Sequence, residues 1–365
     1  MKDPNKMAAY PFRNLIFEGG GVKGVAYVGA MQVLAEEGIL DQIERVGGTS
    51  AGAINATLCA LGYTIGEQDQ VLRSMDFSKF MDDDWGVVRD TERLIQNYGW
   101  YKGDYFYQWM AERVKEKTGS SEYTFGDLWL DDGPELYVCA TNLATGFSEI
   151  YSHEHTPEVR IADAVRASMS IPLFFQAVRN RVGHVLVDGG LLNNFPIKMF
   201  DQLKYIPQER REACGRATEY YDPINHQLGH DLASENAYVF NRETLGFRLD
   251  SKTEIETFQQ ISPPPALRID DLFDYIRALV TTLVDAQDNQ HLHSDDWQRT
   301  IYINTLGVST TDFHVSEERK QALIESGLTH TRQYFEWWKN DPSAVNRPEV
   351  TLVGGAGNGD LRRSG

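Results

Sequence analysis

Three short glycine-bearing runs hold the residues best suited to chemistry. Gly48-Thr49-Ser50-Ala51-Gly52 is a G-x-S-x-G pattern. A serine between two glycines suits a sharp strand-to-helix turn, where flanking side chains would collide with the adjoining elements. Such a turn lifts the hydroxyl clear of a sheet and sets it at a helix N-terminus, whose dipole favours developing negative charge. Ser50 is therefore a candidate nucleophile. Gly19-Gly20-Gly21-Val22-Lys23-Gly24 is the second run. It matches the G-x-G-x-x-G of dinucleotide folds, yet no acidic residue at a second strand end is placed to take a ribose. It is no P-loop either, since Lys23 precedes the last glycine and no Ser or Thr follows. The other use is an oxyanion hole. The bare amides of Gly19, Gly20 and Gly21 would point at an anionic oxygen, each worth roughly 3–4 kcal/mol in a transition state. Lys23 would add positive charge nearby.

A serine needs a base, and nine histidines are available. His153 and His155 read as loop residues, His184 as part of a strand, and His226 and His230 as members of a polar stretch. None sits beside glycines at a strand end. Asp188-Gly189-Gly190, directly after Val185-Leu186-Val187, is better placed. An aspartate at the end of an apolar strand, followed by two residues without side chains, can turn its carboxylate into an open site. Partial desolvation there raises its pKa toward that of a usable base. Taken alone, Asp-Gly-Gly is also a common turn.

The elements that must hold these runs follow from hydrophobic spacing. Leu15–Phe17 reads as a strand, Val25–Glu37 as a helix, Arg45-Val46 as the end of a second strand, and Ala51–Leu61 as a buried helix. The chain thus runs twice through strand, glycine turn and helix, the signature of an α/β fold with a mainly parallel sheet. Further strands are expected at 135–140, 146–152, 182–187 and 299–304. Helices are expected within 67–118, at 161–167, over 270–287 and over 316–339. Residues 201–235 are polar with few apolar anchors and read as a surface insertion, and 341–365 as a flexible tail, leaving one domain over 10–340.

The chain has 365 residues, 35 Lys plus Arg against 53 Asp plus Glu, and a net charge of −18. Both halves are acidic, which disfavours nucleic acid and gives no electrostatic help at anionic membranes. Three scattered cysteines, Cys59, Cys139 and Cys214, make neither a disulfide framework nor a zinc knuckle and suit a reducing compartment. With no apolar leader and no apolar run long enough to span a bilayer, a cytoplasmic location is expected.

In this order, Gly-Gly-Gly-Val-Lys-Gly, Gly-Thr-Ser-Ala-Gly and Asp-Gly-Gly resemble the motifs of the patatin-like phospholipases. Ala167-Ser168-Met169-Ser170-Ile171-Pro172-Leu173-Phe174-Phe175 resembles the family's segment before the aspartate strand. The resemblance runs from about Asn14 to Lys339. It implies a three-layer α/β/α fold and a Ser–Asp dyad without histidine, Ser50 as nucleophile and Asp188 as base. Gly19, Gly20 and Gly21 would carry the oxyanion hole, with Lys23, Gly24, Gly48, Gly52, Gly189 and Gly190 supporting the motifs. The substrate would be an acyl ester of a phospholipid or lysophospholipid, met in transient peripheral contact with membrane, and no metal or cofactor is required. Glu18 stands where many members carry aspartate.

Other features read more plainly. The aromatics from Trp100 to Trp109 are expected in a helical core. Asp82-Asp83-Asp84 reads as a solvated turn, and His291-x-His293-x-Asp295-Asp296 as a solvated loop rather than a metal site. Ser168 and Ser170 lack flanking glycines. Two other functions stay open at this point: a non-catalytic lipid- or nucleotide-binding module, and an α/β-hydrolase with a histidine triad.

Overall fold

Alternation along the strands dictates a sheet covered on both faces. In strand β1 (Asn14–Phe17), Leu15 and Phe17 join the main core while Ile16 faces the other way. In β3 (Glu135–Asn142), Leu136, Val138 and Ala140 join the main core while Tyr137 packs opposite, with Ile16. The computed structural model describes residues 10–80, 98–250 and 295–340, with isolated positions at 269–270, 275, 278–279, 282 and 346. The helix expected over 270–287 therefore lies largely outside the described residues. Asp82-Asp83-Asp84, His291 and His293 lie wholly outside them, as does nearly all of the tail from 341.

Among the described residues the sheet has eight strands. The other six are β2 (Arg45–Thr49), β4 (Phe147–Tyr151), β5 (Val178–Arg179), β6 (Val185–Asp188), β7 (Thr244–Asp250) and β8 (Thr300–Asn304). Strands β8, β7, β1, β2 and β3 lie side by side and parallel. Strand β3 is longer than its neighbours and has three partners. Its residues 138–139 pair with both β2 and β4, and its residues 140–142 with both β4 and β6. Since β4 occupies one edge throughout, β6 must lie on the same edge as β2, running antiparallel to β3 and meeting β2 end to end. Thr49 is opposite Cys139 and Asp188 opposite Ala140. This junction brings two motifs separated by well over a hundred residues to one place.

Helices α1 (Tyr27–Glu36), α2 (Ala51–Ala60), α3 (Ile65–Arg73), α4 (Asp104–Thr118), α5 (Ile161–Ser168) and α6 (Glu317–Asn340) bury their apolar stripes in the main core. On the opposite face Ile16 and Tyr137 lie under Phe195, Ile197, Phe200 and Tyr205.

Three expectations change. Trp100 and Tyr101 belong to a short strand, Gly99–Tyr101, paired with Leu173–Phe175, whereas Phe106, Trp109 and Met110 are core residues of α4 as read. Val182 and His184 precede β6 and form its turn, because Asn180 and Gly183 close a hairpin there. The 201–235 stretch is mostly exposed but anchored. Leu203, Ile206 and Cys214 make a small core with Ala237 and Val239, and Asp201 is fully buried.

Candidate active site

Ser50 sits between β2 and α2 with φ 54° and ψ −124°, a backbone conformation that a residue with a Cβ adopts only under strain. The flanking glycines make the turn possible. A Cβ on Gly52 would stand 2.2 Å from the Phe17 carbonyl oxygen, and one on Gly48 would stand 2.5 Å from the Gly52 backbone. Helix α2 is thus pressed against the end of β1, and its N-terminal dipole ends at the Ser50 hydroxyl.

Asp188 ends β6 beside it. Both side chains are buried yet not sealed, Ser50 being 4% and Asp188 6% exposed. Burial pushes the Asp188 carboxyl up to about 6. A hydrogen bond from the Gly190 amide, at 2.8 Å, and the nearby Ser50 hydroxyl act in the opposite direction. The hydroxyl also rests 3.3 Å from the Met169 thioether sulfur, a weak acceptor. Nucleophile-type hydroxyl and base-type carboxylate therefore share one partly desolvated pocket. Among the described residues no histidine hydrogen-bonds either group; the rings of His155, His184 and His330 meet Ser152, Asn142 and Ser326.

The segment after α5 braces both. The Ser50 amide donates to Ser168 Oγ at 2.8 Å, and Ser168 Oγ donates to the Cys139 carbonyl at 2.5 Å. The Asp188 amide donates to the Ser170 carbonyl at 2.8 Å. Arg166, buried, donates to Ser170 Oγ and to the carbonyls of Lys102 and Gln176. Ser168 and Ser170 are thus clamps rather than rivals to Ser50. Ser168→Ala leaves a buried amide and a buried carbonyl without their partner. It is expected to cost about 1–3 kcal/mol of stability, read as a lowered urea midpoint.

The glycine loop lies against the serine. A Cβ on Gly19 would stand 3.2 Å from Ser50 Cβ. The Gly19 amide, however, already donates to the Asn194 carbonyl at 3.0 Å, so it is not a free donor. Among the described residues the Gly20 and Gly21 amides make no backbone hydrogen bond. Gly21 has φ 55°, and a Cβ there would stand 2.1 Å from the Thr310 carbonyl oxygen. Lys23 runs its stem along this loop, its Cε 3.4 Å from where a Gly20 Cβ would be. Glu18 is buried and tied to the neighbouring strand, accepting from the Leu249 amide and, at 3.4 Å, from Asn194 Nδ2. Asn194 was not singled out from the sequence, although its side chain and carbonyl hold the loop's first residue; an asparagine just past a glycine turn carries no distinguishing signal.

Glu135, His153 and Glu154 bring ligand-type atoms within 4.8 Å of one another near the start of β3, far along the strand from Ser50. Arg45 already neutralises Glu135 at 3.3 Å, and Lys204 neutralises Glu154 at 2.7 Å. Cys59, Cys139 and Cys214 are free thiols. Among the described residues no helix is long and apolar enough to cross a membrane.

Residues 15–201 match the family model of the patatin-like phospholipases. A Bacillus subtilis (strain 168) protein, YqhO, is 31% identical over 338 residues, spanning 88% of this chain and 98% of its own. The chain belongs to the patatin-like phospholipase family. A member from Invertebrate iridescent virus 6, described as a probable lipid hydrolase, is 27% identical over 186 residues, covering 51% of this chain and 62% of its own. The patatin-like fold extends to the structure of VipD from Legionella pneumophila, with a TM-score of 0.53 at 19% identity over 90% of this chain and 67% of that one.

Proposed function

We propose that this protein is a serine acyl hydrolase that cleaves fatty-acyl esters of phospholipids or lysophospholipids through Ser50 and Asp188. One observation carries the reading: a strained serine at a helix N-terminus shares a buried pocket with a carboxyl whose pKa burial raises to about 6. A family named for phospholipid cleavage supports the same substrate class.

Ser50 Oγ attacks the ester carbonyl carbon while its proton passes to Asp188. The Gly20 and Gly21 amides stabilise the oxyanion of the tetrahedral intermediate. As the carbonyl reforms, the bond to the leaving alcohol breaks and Asp188 returns the proton to it. Asp188 then takes a proton from water, whose oxygen attacks the acyl-enzyme. Collapse of the second tetrahedral intermediate releases the fatty acid and restores the Ser50 hydroxyl. Lys23 adds positive charge beside the loop. Contact with membrane is transient and peripheral.

A fluorophosphonate tests the nucleophile directly. It is expected to add once, with the adduct mapped by mass spectrometry to Ser50 and absent from the Ser50→Ala protein. Labelling of Ser168 or Ser170 instead, or none at all, overturns the assignment.

A further inference from the structure

Strand β3 does not stop at the site. Beyond Ala140 it continues to Asn142, where it is flanked by two hairpin turns, 143–146 leading into β4 and 180–184 between β5 and β6. The Leu143 amide donates to the Val185 carbonyl at 2.9 Å, which locks the turns side by side. At about 3.3 Å per residue they stand roughly 10 Å past the level of Ser50 and Asp188, at the same end of the sheet.

These turns expose apolar side chains instead of polar ones. Leu143 is 51% exposed, Phe147 73% and Val182 73%. Tyr98, 47% exposed, joins them through Arg179, whose guanidinium lies 6.0 Å from its ring centre. Scattered exposed hydrophobics are ordinary, but several on two adjoining turns at the active-site end make a patch.

Charge sets this patch apart from the rest of the molecule. In a chain of 53 acidic residues, 143–148 and 164–187 contain none, and Arg181 lies in the second turn with Arg179 at its edge. Two neighbouring carboxylates among the described residues are already engaged. Glu149 accepts from Asn142 Nδ2 at 2.7 Å and from the Tyr151 hydroxyl at 2.9 Å, and Glu158 lies 3.7 Å from Arg181. The acidic body repels an anionic surface, while this end offers apolar side chains with Arg179 and Arg181 beside them. That combination fits the interfacial zone of a phospholipid bilayer, where apolar groups enter the acyl boundary and guanidinium groups meet phosphate.

We infer that the paired turns at 143–147 and 180–184 are the surface by which the protein docks on phospholipid membranes, inserting Phe147, Leu143 and Val182 with Arg179 and Arg181 at the headgroups. The inference rests on the proposed lipid substrate and deepens it. Docking there brings the end of the sheet that holds Ser50 toward the bilayer.

Flotation with vesicles of phosphatidylcholine containing a minority of phosphatidylglycerol tests it, using the 365-residue protein carrying Phe147→Ser and Val182→Ser together, and separately Arg181→Gln. The double variant is expected to bind vesicles about tenfold more weakly, from the apolar area no longer buried. Arg181→Gln is expected to weaken binding only when phosphatidylglycerol is present. Both should hydrolyse a monomeric fluorogenic ester as the unaltered protein does, which also reports that they fold. Vesicle binding unchanged by the double variant, or no binding by the unaltered protein, overturns the docking surface. So does a change of oligomeric state in the double variant, since it would assign the patch to self-association. Flotation does not depend on turnover, so failure of the acyl hydrolase reading shows separately, as absent ester cleavage.

Discussion

Asp188→Asn is expected to lower turnover of a monomeric acyl ester about 10³-fold, the share a positioned base contributes, while making the folded protein more stable at neutral pH. Ser50→Ala, which removes the oxygen proposed to attack, should leave no acyl-enzyme at all. The stability gain follows from linkage. Burial raises the Asp188 carboxyl from 3.8 to about 6, so the folded state favours its protonated form. Below about pH 4 the group is protonated whether folded or not, and it costs nothing. Between about 4 and 6 the unfolded chain releases a proton that the folded chain keeps, so stability falls as pH rises. Above about 6 the ionised carboxylate carries its full burial cost, about 3 kcal/mol. Asparagine avoids that cost and its Oδ1 can still accept from the Gly190 amide. Urea midpoints of the variant and the unaltered protein should therefore diverge at pH 7.5 and converge at pH 4. The same titration sets activity: kcat/KM of the unaltered protein should climb through pH 6 and level off above it. Equal midpoints at both pH values would show that the carboxyl is not desolvated. Undiminished turnover by Asp188→Asn would hand the base to another group.

The placement of Ser50 and Asp188 is partly legible in the sequence. The glycines at 48 and 52 announce themselves because Gly52 lies too close to the end of β1, and Gly48 too close to the backbone of α2, for either to carry a Cβ. Asp188 stands out because an apolar strand ends on it. What joins Ser50 to Asp188 is less visible. Strand β3 takes β2 and β6 along one edge, and nothing in the pattern of residues 135–142 says that its edge is shared. The braces were missed for a different reason. Arg166, Ser168 and Asn194 are polar, so they look like surface in a hydropathy reading, and only their buried hydrogen bonds reveal what they hold. Short strands such as Gly99–Tyr101 are too brief to show a period, and their aromatic residues continue smoothly into the helical pattern that follows.

The same blindness to buried polar groups hid the largest structural bet of the molecule. Asp201 reads as part of a polar surface insertion and Asp296 as part of a solvated loop, yet both are enclosed around Arg299. Arg299 grips Asp201 with two bonds of 2.6 Å, reaches Asp296 at 2.6 and 3.0 Å, and donates to the Asn241 carbonyl at 2.9 Å. Tyr221 donates to Asp201 from the polar stretch, and Lys198 meets Asp296 at 2.9 Å. The cluster ties the chain just after Phe195–Phe200, which covers one face of the sheet, to the start of β8. Arg299→Met keeps much of the volume but strips the buried Asp201 of the arginine that neutralises it and leaves Asp296 to Lys198. It is expected to cost about 3–5 kcal/mol, because an uncompensated charge in a dry interior is far more expensive than the absence of the whole network. Adding Asp201→Asn removes the stranded charge, so the double variant should lose less than the two single losses combined, the non-additivity of groups in direct contact. Urea midpoints of the three variants decide it. A shift in Arg299→Met below about 1 kcal/mol would place these carboxylates in reach of water and make the cluster a surface network after all.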